Sequence, residues 1–356
     1  EFISIAHRQA HRTAIATAIA VLALAAICLV TIHAGAIHIP PGTAIHVIAE
    51  QLGLVPVDGS MQALRTILID IRLPRIALGI LAGAGLAVAG VTLQGLFRNP
   101  LADPGLIGVS TGAATAAAAF IVLGWPLTEY LPAPVLRHAL PVAAFGGGLA
   151  TTILIYVVAT REGRTDVATL LLAGVAINAM AAACIGLLIF LSSERELRDL
   201  NFWMLGSLNG VTWERLAFVG PVILAASLAL TRFARHLNAL LLGEAEARHL
   251  GFDVERTKRW MIALVALTVG AIVALTGAIG FVGLLVPHLV RLLMGADHRT
   301  VYPLSALLGA CLVLLADLFA RTIVVPTELP IGIVTSFLGG PFFLWLLLRQ
   351  KSQGAF

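Results

Sequence analysis

IRLPRIALGILAGAGLAVAGVTLQGLFRNPLADPGLIGVSTGAA, Ile71 to Ala114, holds two apolar runs separated by a short polar turn. The first run, Ile76 to Phe97, is 22 residues long and carries no charge. At about 1.5 Å of helical rise per residue it spans about 30 Å, the hydrocarbon thickness of a bilayer. The turn, RNPLADPG at Arg98 to Gly105, contains Pro100 and Pro104, and proline disfavours helical backbone in the residue before it. The stretch therefore reads as two spanning helices joined at one membrane surface.

The pattern repeats along the chain. Further uncharged runs occupy Ala14–Ile32, Pro104–Thr128, Ala139–Thr160, Val167–Ser193, Leu216–Thr231, Trp260–Val290, Thr300–Ala316 and Leu329–Leu348. The run from Trp260 is too long for one span and carries TGAIGFVG at its middle, so it divides into two. The fold class is an all-α polytopic membrane protein of ten helices, with residues 1–356 forming one transmembrane domain. Only 12% of residues are charged and mean hydropathy is +0.97, whereas soluble domains are about 25% charged. His7, Arg8, His11 and Arg12 before the first run also fit a cleavable signal. The length of that run and the polytopic remainder favour a span.

Charge orients the bundle. With a cytoplasmic N-terminus, the cytoplasmic segments hold fifteen Lys and Arg residues and the opposite side eight, together the 23 in the chain. The positive-inside rule favours that arrangement, with both termini cytoplasmic. The pI of about 9.3 thus implies the membrane and no nucleic acid. Most connections are short, but Arg232 to Arg259 includes LNALLLGEAEARHLG, where Leu237, Leu240, Leu241, Ala245 and Arg248 recur at helical spacing between glycines. This predicts one or two short helices outside the membrane, over about 237–251, either resting on headgroups or docking a cytoplasmic partner.

Intrinsic chemistry is sparse. A phosphate-binding loop requires Gly-Lys-Ser/Thr, and the two lysines follow Thr257 and Gln350. No HExxH, CxxC or GxSxG motif occurs, and Cys28, Cys184 and Cys311 are dispersed in apolar runs, so neither an enzyme nor a metal site is expected. Asp317 and Arg321, spaced i,i+4, lie on one helix face near the outer surface and read as an ion pair. Glycines in LAGAGLAVAG and LLAGVAINA favour close helix packing. An ion-driven secondary transporter would place polar coordinating groups near mid-membrane, where these runs carry almost none.

The Ile71–Ala114 stretch, with LLLAGVAIN, FWMLGSL, LNALLLGEAEARHLG, GAIGFVGLLVPHLVRLLMGADHR and ELPIGIVTSFLGGPFFLWLLLR, resembles the permease subunits of the iron siderophore, heme and cobalamin (FecCD-type) ABC importers. The likeness runs in order from about Ile71 to Arg349 and is nearest to bacterial heme (hemin) permeases. It implies the cobalamin-permease-like, type II importer fold and a homodimer moving heme from periplasm to cytoplasm by alternating access. Two separate ATPase subunits would bind ATP and Mg, and a periplasmic heme-binding protein would deliver cargo. The setting implied is the bacterial inner membrane, with no cofactor held by this chain. A ferric siderophore or cobalamin is the alternative cargo.

Site residues follow from the same resemblance. Arg72, Arg75 and Arg321 match arginines that dock the binding protein through its acidic residues. Asn99 and Leu101 match one cytoplasmic gate, and Val167 and Ala168 occupy the second, where the cobalamin permease has small hydroxyl side chains. The apolar pair here suits a flat, greasy porphyrin. Leu240, Gly243, Glu244, Ala247, Arg248 and Gly251 fall in the segment corresponding to the ATPase coupling helices. His33, His38, His46 and His138 lie on the outer side, where an imidazole can ligate heme iron.

Overall fold

A computed structural model describes residues 2–35, 37–124, 130, 132–324 and 327–352. Among these residues the fourteen longer α-helices are α1 (Phe2–His33), α2 (Pro41–Gln51), α3 (Leu73–Leu96), α4 (Val109–Leu123), α5 (Ala133–Ala159), α6 (Val167–Leu191) and α7 (Glu194–Leu205), then α8 (Trp213–Thr231), α9 (Ala234–Leu240), α10 (Glu244–His249), α11 (Val254–Thr276), α12 (Val282–Met294), α13 (His298–Ala320) and α14 (Ile331–Ser352). A one-turn helix, Gln62–Arg65, and a π-helical stretch, Thr66–Arg72, lead into α3.

Seven of these, α1, α3 with its lead-in, α5, α6, α8, α11 and α13, are long and apolar enough to cross a membrane. The shorter apolar helices α4, α12 and α14 make ten among the described residues. The ten match the expected runs one for one; residues 125–128 of the third run lie outside the described residues. Besides α9 and α10, which fall in the predicted Arg232–Arg259 segment, two of these helices belong to none of those runs. One is α2. The other is α7, opened by a capping box in which Ser193 and Glu196 satisfy each other's backbone N–H.

The division of the long run is real but asymmetric. α11 ends at Thr276, and α12 is only 13 residues long. Between them Gly277–Phe281 is non-helical, with Phe281 at φ 67°. Gly283 packs on Gly90, about 9 Å by helical rise from the end of α3. The broken backbone therefore descends through protein, the setting in which irregular chain is tolerated at membrane depth.

Around α3 the core is built backbone on backbone. A Cβ on Gly83 would lie 2.2 Å from the Gly309 carbonyl oxygen of α13, and one on Gly90 1.8 Å from that of Gly283. Both contacts are closer than any side chain allows, so only glycine permits the crossings. Two polar side chains of α3 are paired internally: Thr92 bonds Tyr302 at 2.9 Å, and Gln94 donates to the Leu284 carbonyl at 3.1 Å. α1 and α6 instead turn apolar side chains outward, among them Leu22, Leu29, Leu172, Val175, Met180 and Phe190.

Candidate functional site

The extramembrane segment folds as two short helices. Leu237 and Leu240 of α9 and Ala247 of α10 are buried and anchor the pair, while Gly243, at φ 126°, makes the bend between them. Among the expected coupling residues, Leu240, Gly243 and Ala247 thus face inward, Glu244 is half-buried, and Arg248 and Gly251 are exposed. The large exposed apolar side chains on this element are Leu241, Leu242 and Leu250. They are also within LNALLLGEAEARHLG, where strict helical spacing picks out only Leu241 of the three.

Beside α10, an antiparallel hairpin of two-residue strands, β1 (Thr160–Arg161) and β2 (Arg164–Thr165), precedes α6. Its turn residues Glu162 and Gly163 both have positive φ, at 53° and 76°, the conformation that two-residue hairpins favour. The hairpin is stapled to α11: Thr165 N–H donates to Glu255 Oε2 at 2.9 Å, and Lys258 Nζ donates to the Thr165 carbonyl at 3.0 Å. Asp166 caps α6 by accepting from Thr169 N–H at 2.7 Å. Hydrogen bonds from the Thr169 hydroxyl and N–H hold the Asp166 carboxyl below the usual carboxylate range.

The Arg98–Gly105 turn is set by two side-chain caps. Asn99 Oδ1 accepts from Leu101 N–H at 2.9 Å, and Asp103 Oδ1 from Gly105 N–H at 2.7 Å, the local bonding that favours Asn and Asp in turns. α6 packs directly on this turn. A Cβ on Gly174 would lie 2.1 Å from the Leu106 carbonyl oxygen. Asn178 of α6 donates to the Gly105 carbonyl at 3.1 Å and accepts from Thr111. Asn99, Leu101 and Ala168 are exposed and Val167 is half-buried. A cavity of about 420 Å³ brings Phe97 and Arg98 together with Thr165, Val167, Glu244 and Lys258. The first turn, the start of α6 and α10 therefore meet at one end of the bundle.

The arginines gather at the other end. Arg72, Arg75 and Arg321 are 5–7% exposed. Arg75 Nη2 lies 2.8 Å from Asp317 Oδ1, its Nε 3.0 Å from the same oxygen, and its Nη1 donates to Glu328 at 3.0 Å. Arg72 bonds the carbonyls of Ile32 and Ile37, and Arg321 donates to the Thr31 carbonyl at 2.6 Å. These carbonyls end α1 or follow it, where no helical donor remains. Asp317 is paired chiefly with Arg75, since Arg321 approaches only to 3.7 Å. In this conformation each of the three guanidinium groups donates to the chain's own acceptors, and the buried Nε of Arg321 has no hydrogen-bond partner. Of the histidines expected on the outer side, His33 bonds the Ile39 carbonyl, His46 faces Glu50, and His138 lies 3.7 Å from Glu214.

The sequence profile of the FecCD transport family matches residues 22–349 of the 356. The chain belongs to the FecCD transport family. Within it, the chain is 47% identical over 285 residues to the hemin transport system permease protein HmuU of Yersinia pestis, covering 80% of this chain and 84% of that protein. It is 44% identical over 293 residues to the cobalamin import system permease protein BtuC of Halobacterium salinarum, covering 82% and 76%. A solved structure assigned to the metal-chelate type of ABC transporter, in an inward-facing conformation, superposes with a TM-score of 0.78 at 31% identity, over 94% of this chain and 98% of the other. The FecCD chain described here is thus a multi-pass permease of the ABC-importer type.

Proposed function

We propose that this FecCD chain is the membrane permease of an ATP-driven heme importer in a bacterial inner membrane. Two copies would form the path, two ATPase subunits would bind ATP and Mg against α10, and a periplasmic binding protein would deliver heme at the arginine end. Both termini are cytoplasmic in this reading. The observation that carries it is the 47% identity with a hemin permease over 80% of the chain. The apolar pair Val167 and Ala168 beside the Asn99–Leu101 turn supports it, because a porphyrin face needs few polar contacts. Docking through Arg72, Arg75 and Arg321 requires these groups to exchange internal acceptors for acids of the binding protein.

The test is reconstitution with the cognate ATPase and binding protein in liposomes. Heme uptake that depends on ATP, with ferric siderophores and cobalamin transported at least tenfold more slowly, is the expected result. Cobalamin is the competing cargo, favoured by the 44% identity with a cobalamin permease; faster cobalamin uptake overturns the heme assignment. Uptake driven by an ion gradient without the ATPase overturns the importer reading.

A further inference from the structure

Lys258 is one of two lysines in the chain, and it is 3% exposed. Its partners come from three segments. Nζ lies 2.7 Å from Glu244 Oε1 on α10 and 3.3 Å from Glu255 Oε1 on α11, and it donates to the Thr165 carbonyl on β2 at 3.0 Å. Glu255 closes the circuit by accepting from Thr165 N–H at 2.9 Å, and Arg248 of α10 reaches Glu255 at 3.3 Å and Glu244 at 3.1 Å. Thr165 is two residues before Val167, the first residue of α6.

A buried ammonium group is stable only while paired, and removing one partner of such a pair is far costlier than moving both together. If α10 shifted alone, Glu244 would leave Lys258, and the buried ammonium would keep only Glu255 and the Thr165 carbonyl. If α10, Lys258 and the hairpin move as a unit, every contact survives. The 420 Å³ cavity beside this cluster gives the unit room to move.

We propose that Lys258 is a positioning residue that ties α10 to the Thr165–Ala168 segment, so that displacement imposed on α10 is delivered to the start of α6. The inference rests on the reading of α10 as the ATPase contact. It adds a transmission element that neither the gate residues nor the coupling residues supply themselves. Conversion of hydrolysis into gating then depends on one side chain's ability to hold two carboxylates and a backbone carbonyl at once.

The experiment uses the full permease reconstituted with its ATPase and binding protein, and reads transport per ATP hydrolysed. Lys258→Met keeps the side chain's length and removes its charge. It is expected to retain the ATPase in the complex while transport per ATP falls at least tenfold, and Lys258→Arg is expected to recover more than half. Glu255→Gln, which leaves Lys258 paired with Glu244 and Thr165, guards against a Lys258→Met chain that does not assemble, and should lower the same ratio at least threefold. In a background lacking Cys28, Cys184 and Cys311, an Ala168→Cys probe should change its maleimide reactivity with nucleotide in the parent and lose that response in Lys258→Met. Ratios within twofold of wild type for every assembled variant overturn the inference. The α10 reading is tested separately by Leu242→Glu and Leu250→Glu: ATPase retained by both refutes that reading, whatever the Lys258 ratio.

Discussion

Replacing Asp317 with asparagine tests the arginine end most directly. The carboxylate is 1% exposed and takes three close contacts from Arg75. The substitution keeps its shape and removes its charge, leaving Arg75 with Glu328 alone and Arg321 without its ion-pair partner. Breaking a buried pair by removing one partner costs about 3–5 kcal/mol. Glu328 remains at 3.0 Å, which puts the expected loss near the lower end, about 3 kcal/mol, or roughly a hundredfold in the unfolding equilibrium. Equilibrium unfolding of the purified permease in mixed micelles, followed by tryptophan fluorescence, gives the value. Glu328→Gln, at a side chain 35% exposed, should cost under about 1 kcal/mol. The double replacement Arg75→Met with Asp317→Leu should recover part of the loss, because Arg75 then carries no unpaired charge while Arg321 still lacks Asp317. A loss below about 1 kcal/mol for Asp317→Asn, or an equal loss for Glu328→Gln, refutes the view that this pair fastens α3 to α13.

Gly174→Val should force α6 off the turn at Leu106, costing about 1–3 kcal/mol by overpacking and lowering reconstituted transport at least tenfold; wild-type transport rejects the contact. Arg72→Gln should free the end of α1, seen as faster deuterium uptake over residues 30–38 with α3 and α13 unaffected. His236 stands between the rings of Phe233 and Phe252, and burial lowers its pKa below 6.5. The unfolded segment therefore takes up a proton first, and the stability this histidine contributes is full above about pH 6.5 and declines as pH falls below it. The protection of α9 amides, taken as uptake relative to the intrinsic exchange rate at each pH, should fall on acidification from pH 7 to 5.5, and His236→Phe should flatten that dependence.

The spans were legible because each is a local property of composition: a run of uncharged residues long enough to cross lipid announces itself. The same counting passes over α7, whose polar ERELRDLNFWML averages far from a span although Ser193 and Glu196 spell a capping box. It also overstates α12, because nothing local says that Gly277–Phe281 turns into the bundle. Site partners are harder still. Helical spacing pairs Asp317 with Arg321, while the stronger partner, Arg75, stands 242 residues away. Lys258 reads in sequence only as a lysine in the wrong place for a phosphate loop; its role needs α10, α11 and the hairpin side by side. The Asn99 and Asp103 caps, by contrast, are visible in RNPLADPG itself, as is the proline punctuation around them.

The glycine crossings of α3 bear on how such a permease can change its cargo. At Gly83 and Gly90 the opposing surface is peptide backbone, which no compensating substitution can trim. Mutational drift at these positions is closed from both sides at once. The outward faces of α1 and α6 meet no such wall within the chain. Variation that retunes the path should therefore accumulate on α6, while α3, α12 and α13 persist as an inherited frame, and saturation mutagenesis scored by uptake would display that division as a map of permitted and forbidden volume.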